Sequence, residues 1–408
     1  MDWRAIDGQA IDGQAIVGRA IDGLAMAEPA VAQPAVEGLA VEGLVTAGAD
    51  FGVYVHVPFC RERCDYCAFA TYTDRDHLME RYADACVTEL QRLEEAGDLV
   101  PATSVFFGGG TPSRLDPDTL CRILAAVPRT AGAEVTVECN PEDADDAHLG
   151  TYRQAGVNRV SFGLQSTNAH VLAGLGRRNV PDAISRIAAA VDAAGFDNWN
   201  LDLIFGGAGE SDGDWRSTLG AVLALPNPPP HISAYALTIE PGTPLARVAD
   251  RHPDDDTLAR RYEITDEVLA RAGYGWEEIS NWARPGHRCR HNQLYWDQGN
   301  YAGIGSAAHS HCDGRRWWNV RTPDRYIDAV STGRSAEGGR EELTAGQRAF
   351  ESLSLSLRTP RGVPWNDLER VDELTGLVDR RDDRAVLTVR GRLLANEVSS
   401  RIASGSLL

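Results

Sequence analysis

The chain of 408 residues has a formal net charge of −19 and contains no lysine, so every fixed side-chain cation is an arginine. Such an acidic chain is poorly suited to bind nucleic acid, because phosphate recognition needs basic surface, and we expect no nucleic-acid partner. The composition, 43% hydrophobic and 24% charged, is typical of a globular protein of about two or three domains. No apolar stretch approaches the roughly 20 residues of a membrane span and no signal peptide is recognisable, which predicts a cytoplasmic protein.

The first segment of the chain repeats with a period of five, beginning with Ala5-Ile6-Asp7-Gly8-Gln9 and fading near residue 44. A period of five fits neither a helix nor a strand, and the small number of copies disfavours a solenoid. We therefore interpret residues 1–49 as a disordered, low-complexity extension.

From residue 51 onwards, short β-branched runs alternate with helical patterns. Strands are predicted at residues 54–57, 104–107, 134–138, 159–163, 200–205 and 231–237, and helices between them include residues 78–95, 118–126 and 181–194. Short strands separated by helices indicate βαβ units and a parallel sheet. Six such units predict an α/β fold, a partial (β/α)6 barrel over residues 50–245, with functional side chains at the carboxyl ends of the strands.

The regular alternation weakens after residue 245, where a polar and charged stretch begins. We predict a family-specific region over residues 246–340, followed by a smaller α+β module over residues 341–408 that resembles a winged helix. In that module residues 343–357 have a helical pattern, residues 361–364 form a turn, and residues 385–389 are hairpin-like.

Three of the eight cysteines, Cys60, Cys64 and Cys67, lie on one loop after the first predicted strand. Clustered cysteines in a large chain favour a reducing compartment and a metal or cluster site over a disulfide framework. Three thiolates on a cube of four irons leave one iron open, whereas zinc would need a fourth ligand, for which only His56 is near. The spacing therefore favours a [4Fe–4S] cluster over a zinc site.

The loop resembles the radical SAM superfamily, whose members carry Cys-x3-Cys-x2-Cys after the first barrel strand. The flanking Tyr54-Val55-His56-Val57-Pro58-Phe59 is similar to the oxygen-independent coproporphyrinogen III oxidase family, which includes HemW-type haem chaperones. The resemblance extends from about residue 51 to the C-terminus. It implies a radical SAM barrel with a [4Fe–4S] cluster on the three cysteines and S-adenosylmethionine (SAM) on the open iron.

The resemblance also implies a set of SAM contacts at the ends of the strands. Gly109 and Gly110 lie in a glycine-rich segment that lets backbone N–H groups approach a ligand, so that a bulky residue there would fill the space of SAM. The implied contacts for the amino group, carboxylate, ribose, methionine and adenine of SAM are Tyr54, Tyr66, Gly109, Gly110, Thr111, Glu138, Gln165, Arg177, Asp202 and Ala236.

The segment from His291 to Trp296, His-Asn-x-x-Tyr-Trp, resembles the haem chaperone signature. Histidine is a common axial haem ligand and aromatic rings can stack on a porphyrin, which predicts that His291 binds haem. Two alternatives stay open: the segment could be a structural loop, or haem could be held elsewhere, for example by His309 or Cys289. His309 lies in a second family segment, residues 303–310, which we expect near the open side of the SAM site.

The oxidases of this family carry a fourth cysteine two residues after the triad, where this chain has Phe69. The resemblance therefore favours a haem chaperone that binds haem and delivers it to haem-dependent respiratory proteins. The alternative is an oxygen-independent coproporphyrinogen III dehydrogenase, and a third candidate is a radical SAM enzyme with another substrate. Enzymatic turnover of SAM, a membrane location of the acceptor proteins and a homodimer are left open.

Overall fold

Residues 50–406 are described by the computed structural model, apart from residues 144, 179, 181 and 369–373. The predicted low-complexity extension, residues 1–49, lies outside the described residues. In the described part, no helix is both long and apolar enough to cross a membrane.

A parallel sheet forms the centre of the molecule and its strands follow one another in chain order. The strands are β1 (Phe51–Val57), β2 (Ala102–Gly109), β3 (Arg129–Cys139), β4 (Arg159–Gln165), β5 (Trp199–Phe205) and β6 (His231–Ala236). The helices that connect them are α1 (Met79–Ala96), α2 (Pro117–Ala125), α3 (Asp146–Ala155), α4 (Ala169–Gly174), α5 (Ala183–Ala194) and α6 (Asp212–Leu223). This arrangement confirms the predicted partial (β/α)6 barrel, and each predicted strand and helix lies within or close to an observed one.

Local sequence explains where these elements begin and which faces they bury. Asp116 caps α2 by accepting a hydrogen bond from the backbone of Asp118, with Pro117 at the first helical position. In β1 all residues are buried; Val53 and Val55 pack in the main apolar core, whereas Tyr54 lies on the opposite face, in the barrel interior. Burial of both faces is typical of parallel sheets covered by helices.

Residues 246–340 extend the same sheet at both edges. Here α7 (Asp255–Arg271) precedes β7 (Gly275–Glu278) and β8 (Asn281–Ala283), and β8 pairs antiparallel with β6. After α8 (Arg290–Trp296), β9 (Asn300–Ile304) pairs parallel with β1 and is followed by β10 (His309–Cys312), β11 (Arg315–Asn319), α9 (Pro323–Ser331) and β12 (Glu337–Glu342). The resulting order, β12-β11-β10-β9-β1-β2-β3-β4-β5-β6-β8-β7, has no pairing between β7 and β12 in the described part, so the barrel is open.

The last part of the chain has its own small sheet and core. Its elements are α10 (Ala345–Leu357), β13 (Val363–Pro364), β14 (Val378–Arg381), β15 (Arg384–Leu387), α11 (Val389–Leu393) and α12 (Ala395–Ser406), with strand order β13-β15-β14. Its core includes Leu357, Val363 and Leu387. A buried ion pair between Arg316 of β11 and Glu351 of α10 attaches this part to the extended sheet.

The end of the barrel opposite the cluster loop is closed by a buried polar network. Glu277 accepts hydrogen bonds from the backbone of Cys289 at 3.0 Å and from the side chain of Gln293 at 2.9 Å, and its other oxygen lies 2.9 Å from His231 Nε2. Glu278 is buried beside it, and burial, reinforced by the charge of Glu277, raises the pKa of Glu278 to about 8. The folded protein therefore holds a proton on Glu278 that the unfolded chain would release near pH 4.5.

We expect Glu278→Gln to raise the melting temperature increasingly as pH rises from about 5 to 8. Because the pKa of Glu278 is higher in the folded state, its contribution to stability is complete at low pH and is lost as pH rises through the folded pKa. Glutamine keeps the shape without this titration, so the difference between variant and wild type should grow by at most about 1.4 kcal/mol per pH unit. Melting curves across this range, with Glu342→Gln on exposed β12 as control, test the effect; parallel pH profiles would contradict it.

Candidate functional site

The cluster loop, residues 58–72, follows β1 at the mouth of the barrel. Backbone hydrogen bonds from Tyr72 to Pro58 at 2.8 Å and from Cys60 to Tyr72 at 3.0 Å close its base, and Cys67 bonds back to Cys64 at 3.2 Å. All three cysteines are half-buried and free of disulfides. The structure thus brings the three predicted thiols together on one short loop whose ends are fixed.

His56 anchors this loop by a hydrogen bond to its backbone, and the bond fixes the tautomer of the ring. Its Nε2 lies 3.1 Å from the carbonyl oxygen of Ala70, which can only accept, so Nε2 carries the proton. Burial lowers the pKa of His56 to about 4, so the ring is neutral and Nδ1 accepts the hydrogen bond of the Tyr54 hydroxyl at 3.2 Å. His56 is therefore an anchor of the loop and does not serve as the fourth ligand that a zinc site would need.

Thr111 contacts the cluster loop directly. Its hydroxyl donates a hydrogen bond to Cys60 Sγ at 3.6 Å and accepts one from Asn140 at 3.2 Å, while its backbone N–H bonds to Phe59. Burial is the main reason that the pKa of the Cys60 thiol is raised to about 12, and the Thr111 hydrogen bond opposes it. A thiolate here needs a compensating positive charge, which iron supplies.

In the described residues, no group of three or more histidine, cysteine or acidic side chains is gathered around the position of a single metal ion. Thiolates that bind different irons of one cluster stand farther apart than the ligands of one ion. The loop offers three thiols, one ligand fewer than a structural zinc site needs, whereas three thiolates leave one iron of a [4Fe–4S] cluster open.

The glycine segment supports the loop rather than only leaving room for a ligand. A Cβ at Gly110 would lie 2.8 Å from the carbonyl oxygens of Val57 and Phe59, and at Gly109, where φ is 106°, it would overlap the ring of His56. A side chain at either position would therefore also push the segment away from the base of the cluster loop.

A cavity of about 500 Å³ opens between the cluster loop and the carboxyl ends of β2 to β5. Besides the three cysteines, the predicted site residues that line it are Tyr66, Gly109, Gly110, Thr111, Glu138, Gln165, Arg177 and Asp202. Tyr54 and Ala236 do not line it; Tyr54 is fully buried and reaches the site through His56, and Ala236 is the last residue of β6.

Gln165 is the strongest sign that a ligand belongs in this cavity. Its side chain is fully buried, and in the described part of the chain neither its amide nitrogen nor its amide oxygen has a hydrogen-bond partner. Its backbone has φ of 67°, which is unusual for a residue other than glycine. Unsatisfied buried polar atoms and strained backbone cost free energy, and both are typical of positions where a ligand completes the hydrogen bonds.

Asp202 and Arg177 are two further polar residues that line the cavity. The Asp202 carboxylate accepts hydrogen bonds from Ser161 at 3.0 Å and Asn200 at 2.8 Å, and burial raises its pKa. Arg177 donates to the Tyr66 hydroxyl at 3.3 Å and to the side chain of Asn140 at 3.2 Å, and it has no ion pair among the described residues. A half-buried guanidinium without an ion pair is suited to bind the carboxylate of a ligand.

Asn140 is a site residue that sequence reasoning did not single out. It follows β3 directly and joins Thr111 to Arg177. Its sequence signal is its place two residues after Glu138, just beyond the end of a strand, where side chains of a barrel face the mouth.

The segment from His291 to Trp296 lies at the opposite end of the barrel, and this corrects the prediction that His291 binds haem. The ring of His291 is 1% exposed, Nδ1 lies 2.9 Å from Ser104 Oγ, and Nε2 lies 2.7 Å from the Tyr295 hydroxyl. Burial lowers its pKa to about 3, and the ring stacks on Phe106. Neither nitrogen is left for iron, which agrees with the structural alternative.

Cys289 is similarly enclosed. Its thiol is fully buried and donates to Glu134 at 3.7 Å, next to the polar network that closes the barrel. The suggestion of a haem-side thiol at this position is therefore corrected as well.

Comparisons with known proteins agree with the site. The family model of the radical SAM superfamily matches residues 54–222. Heme chaperone HemW from Mycobacterium tuberculosis is 42% identical over 370 residues, covering 86% of this chain and 94% of that protein. Heme chaperone HemW from Escherichia coli is 33% identical over 320 residues, covering 76% of this chain and 83% of that protein.

Among solved structures, coproporphyrinogen III oxidase (HemN) from Escherichia coli, described as a radical SAM enzyme, is similar with a TM-score of 0.74. The likeness covers 88% of this chain and 91% of that chain at 22% identity, and it therefore concerns the fold. Together the matches confirm the resemblance that the cysteine loop and its flanking residues carry.

Proposed function

We propose that this chain, which belongs to the HemW family of radical SAM proteins, is a haem chaperone that binds haem and delivers it to haem-dependent proteins. The observation that carries the proposal is the similarity to proteins named heme chaperone HemW over nearly their whole length. The family implies a [4Fe–4S] cluster and SAM, and the cavity with its three thiols and unpaired Gln165 amide supports both.

In the proposed site, Cys60, Cys64 and Cys67 hold the cluster, while Gln165, Asp202 and Arg177 bind SAM in the cavity. When bound, the cluster and SAM supply one-electron chemistry. The protein's own contribution is positional: Thr111 donates to Cys60, and His56 fixes the end of the loop through Ala70.

Phe69 supports the chaperone over the oxidase alternative. Its side chain lines the cavity, at the position where the oxidases of this family carry a fourth cysteine. A phenyl ring can neither bind iron nor donate a proton, so the residue that the resemblance assigns to decarboxylation is missing.

The proposal includes a cytoplasmic location and delivery to respiratory haem proteins. The eight cysteines are all free in the described structure, which suits a reducing compartment. An acceptor at the membrane and assembly as a homodimer belong to the same proposal.

Anaerobically reconstituted protein tests this function in two parallel assays. We expect titration with haem to give a saturable shift of the haem absorption, and incubation with coproporphyrinogen III, SAM and reductant to give no decarboxylated porphyrinogen. Coproporphyrinogen III oxidase from Escherichia coli serves as the positive control for the second assay. Conversion of coproporphyrinogen III by the wild-type chain, or failure to bind haem, would overturn the chaperone assignment.

A further inference from the structure

We infer that haem binds at the rim of the barrel mouth around His309 and Trp318, with His309 as the axial ligand and Arg321 pairing with a propionate. The inference rests on the proposed function, because it names the site of the haem that the function requires. Tyr72, His309, Trp318 and Arg321 together form what we call the rim patch.

Strand pairing places the rim patch beside the cluster loop. Because β9 runs parallel to β1, with Ile304 opposite Val55, the residues after β9 lie at the same end of the barrel as the cysteines. Gly305 packs so closely that a Cβ there would lie 2.8 Å from the carbonyl oxygen of His56. The Tyr72 hydroxyl of the cluster loop donates to the backbone of Arg321 at 3.3 Å.

The same pairing directs His309 towards the inside of the open barrel. Tyr54 in the barrel interior is opposite Gly303, and Tyr301, two residues earlier, is opposite His311. Side chains two residues apart on a strand share a face, so His309 lies on the face of His311 and hence of Tyr54. Trp318 is directly opposite His309 and shares that face. Haem there would lie at the open side of the barrel, next to the cluster loop.

His309 has the features that an axial ligand needs. Its side chain is exposed to solvent, in contrast to the enclosed His291, but the protein surrounds it closely enough that burial lowers its pKa. The imidazole is therefore neutral at pH 7, the form that binds iron. Its ring stacks on Trp318 with centroids 5.5 Å apart and planes at 28°, which fixes its orientation. Gly339 on β12 leaves the room that the indole occupies.

Arg321 is available for a ligand carboxylate. It is exposed and forms no ion pair within the described residues. The neighbouring arginines of β11 and β12 do form ion pairs: Arg315 and Arg340 with Glu337, and Arg316 with Glu351. Arg321 is close enough to His56 for its charge to lower the pKa of that ring, which places it at the mouth. Arginine pairs well with the carboxylates that haem carries on its propionates.

The test compares haem binding by wild-type protein, His309→Ala, Trp318→Ala and Arg321→Gln. His148→Ala is the control, because His148 is a half-buried histidine on the outer helix α3. Cluster absorption and melting temperature establish that each variant is folded. We expect His309→Ala to change the haem spectrum and weaken binding at least tenfold, while the control binds as the wild type does. Removal of the axial ligand should leave binding of iron-free protoporphyrin unchanged.

A chemically modified ligand isolates the carboxylate contact. Arg321→Gln should weaken haem binding by about tenfold. The variant and the wild type should bind haem dimethyl ester equally well, because this ligand lacks the carboxylates. Wild-type protein that binds no haem would overturn the proposed function itself. Wild-type protein that binds haem, with the same spectrum and affinity in His309→Ala, would overturn only the site inferred here.

Discussion

Replacing Cys60, Cys64 and Cys67 together with alanine is expected to abolish binding of the iron–sulfur cluster and to leave the fold intact. The three half-buried thiols are the only cysteines on the cluster loop, so the variant has no thiolate left to bind iron. The base of the loop is held by the backbone bonds of Tyr72 and by His56, neither of which depends on a cysteine side chain. Iron and sulfide analysis should fall from about four of each per chain to none.

Cys121→Ala provides the matched control, because Cys121 is a partly buried thiol on α2, on the outside of the barrel. This variant should retain the cluster in full and lose at most a little stability. Full iron and sulfide content in the triple variant, measured under the same anaerobic reconstitution, would contradict the assignment of the cluster to this loop.

The order of the strands and the cluster loop could be predicted from sequence because both are local signals. The apolar, β-branched residues of a run such as 54–57 predict a buried strand without reference to the rest of the chain. The spacing of three cysteines on a single loop likewise does not depend on distant residues. The additional strands β9 to β12 were not predicted, since β9 pairs with β1 across about 250 residues and carries no signal of that distant partner.

His291 shows why the identity of a residue does not determine its role. A histidine followed by two aromatic residues has the composition of a haem contact, and sequence offers no means to tell a barrel mouth from the opposite end. Only the fold shows that Gly52, at the start of β1, leaves space for the His291 ring, since a Cβ there would lie 3.0 Å from Cε1. The close approach of helix α8 to β1 makes His291 part of the closure of the barrel.

Buried polar groups occur at both ends of the barrel, but the unsatisfied amide of Gln165 is the one that lines the cavity at the mouth. At the closed end, His231, Glu277 and Gln293 bond to one another and to the backbone. At the mouth, Gln165 has no partner in the described part and Arg177 has no carboxylate. Because Gln165 lines the cavity, a ligand bound there can complete the hydrogen bonds that its amide lacks.

Gln165→Met is therefore expected to change stability and SAM affinity in opposite directions. The substitution keeps the size of the side chain and the backbone conformation but removes two buried atoms that lack partners, each of which costs about 1–3 kcal/mol. The protein without SAM should melt at a higher temperature than the wild type. SAM binding to the cluster-loaded protein should weaken by about tenfold or more, because the amide can no longer bond to the ligand.

Gln293→Met is the matched control at the closed end of the barrel, where the amide donates to Glu277. It should lower the melting temperature, because it removes a hydrogen bond to a buried carboxylate, and it should leave SAM affinity unchanged. Equilibrium binding of SAM and thermal unfolding, both measured anaerobically on all three proteins, distinguish these patterns. If Gln165→Met bound SAM as tightly as the wild type, the Gln165 amide would not contact SAM, and its buried atoms would have to be satisfied by another ligand.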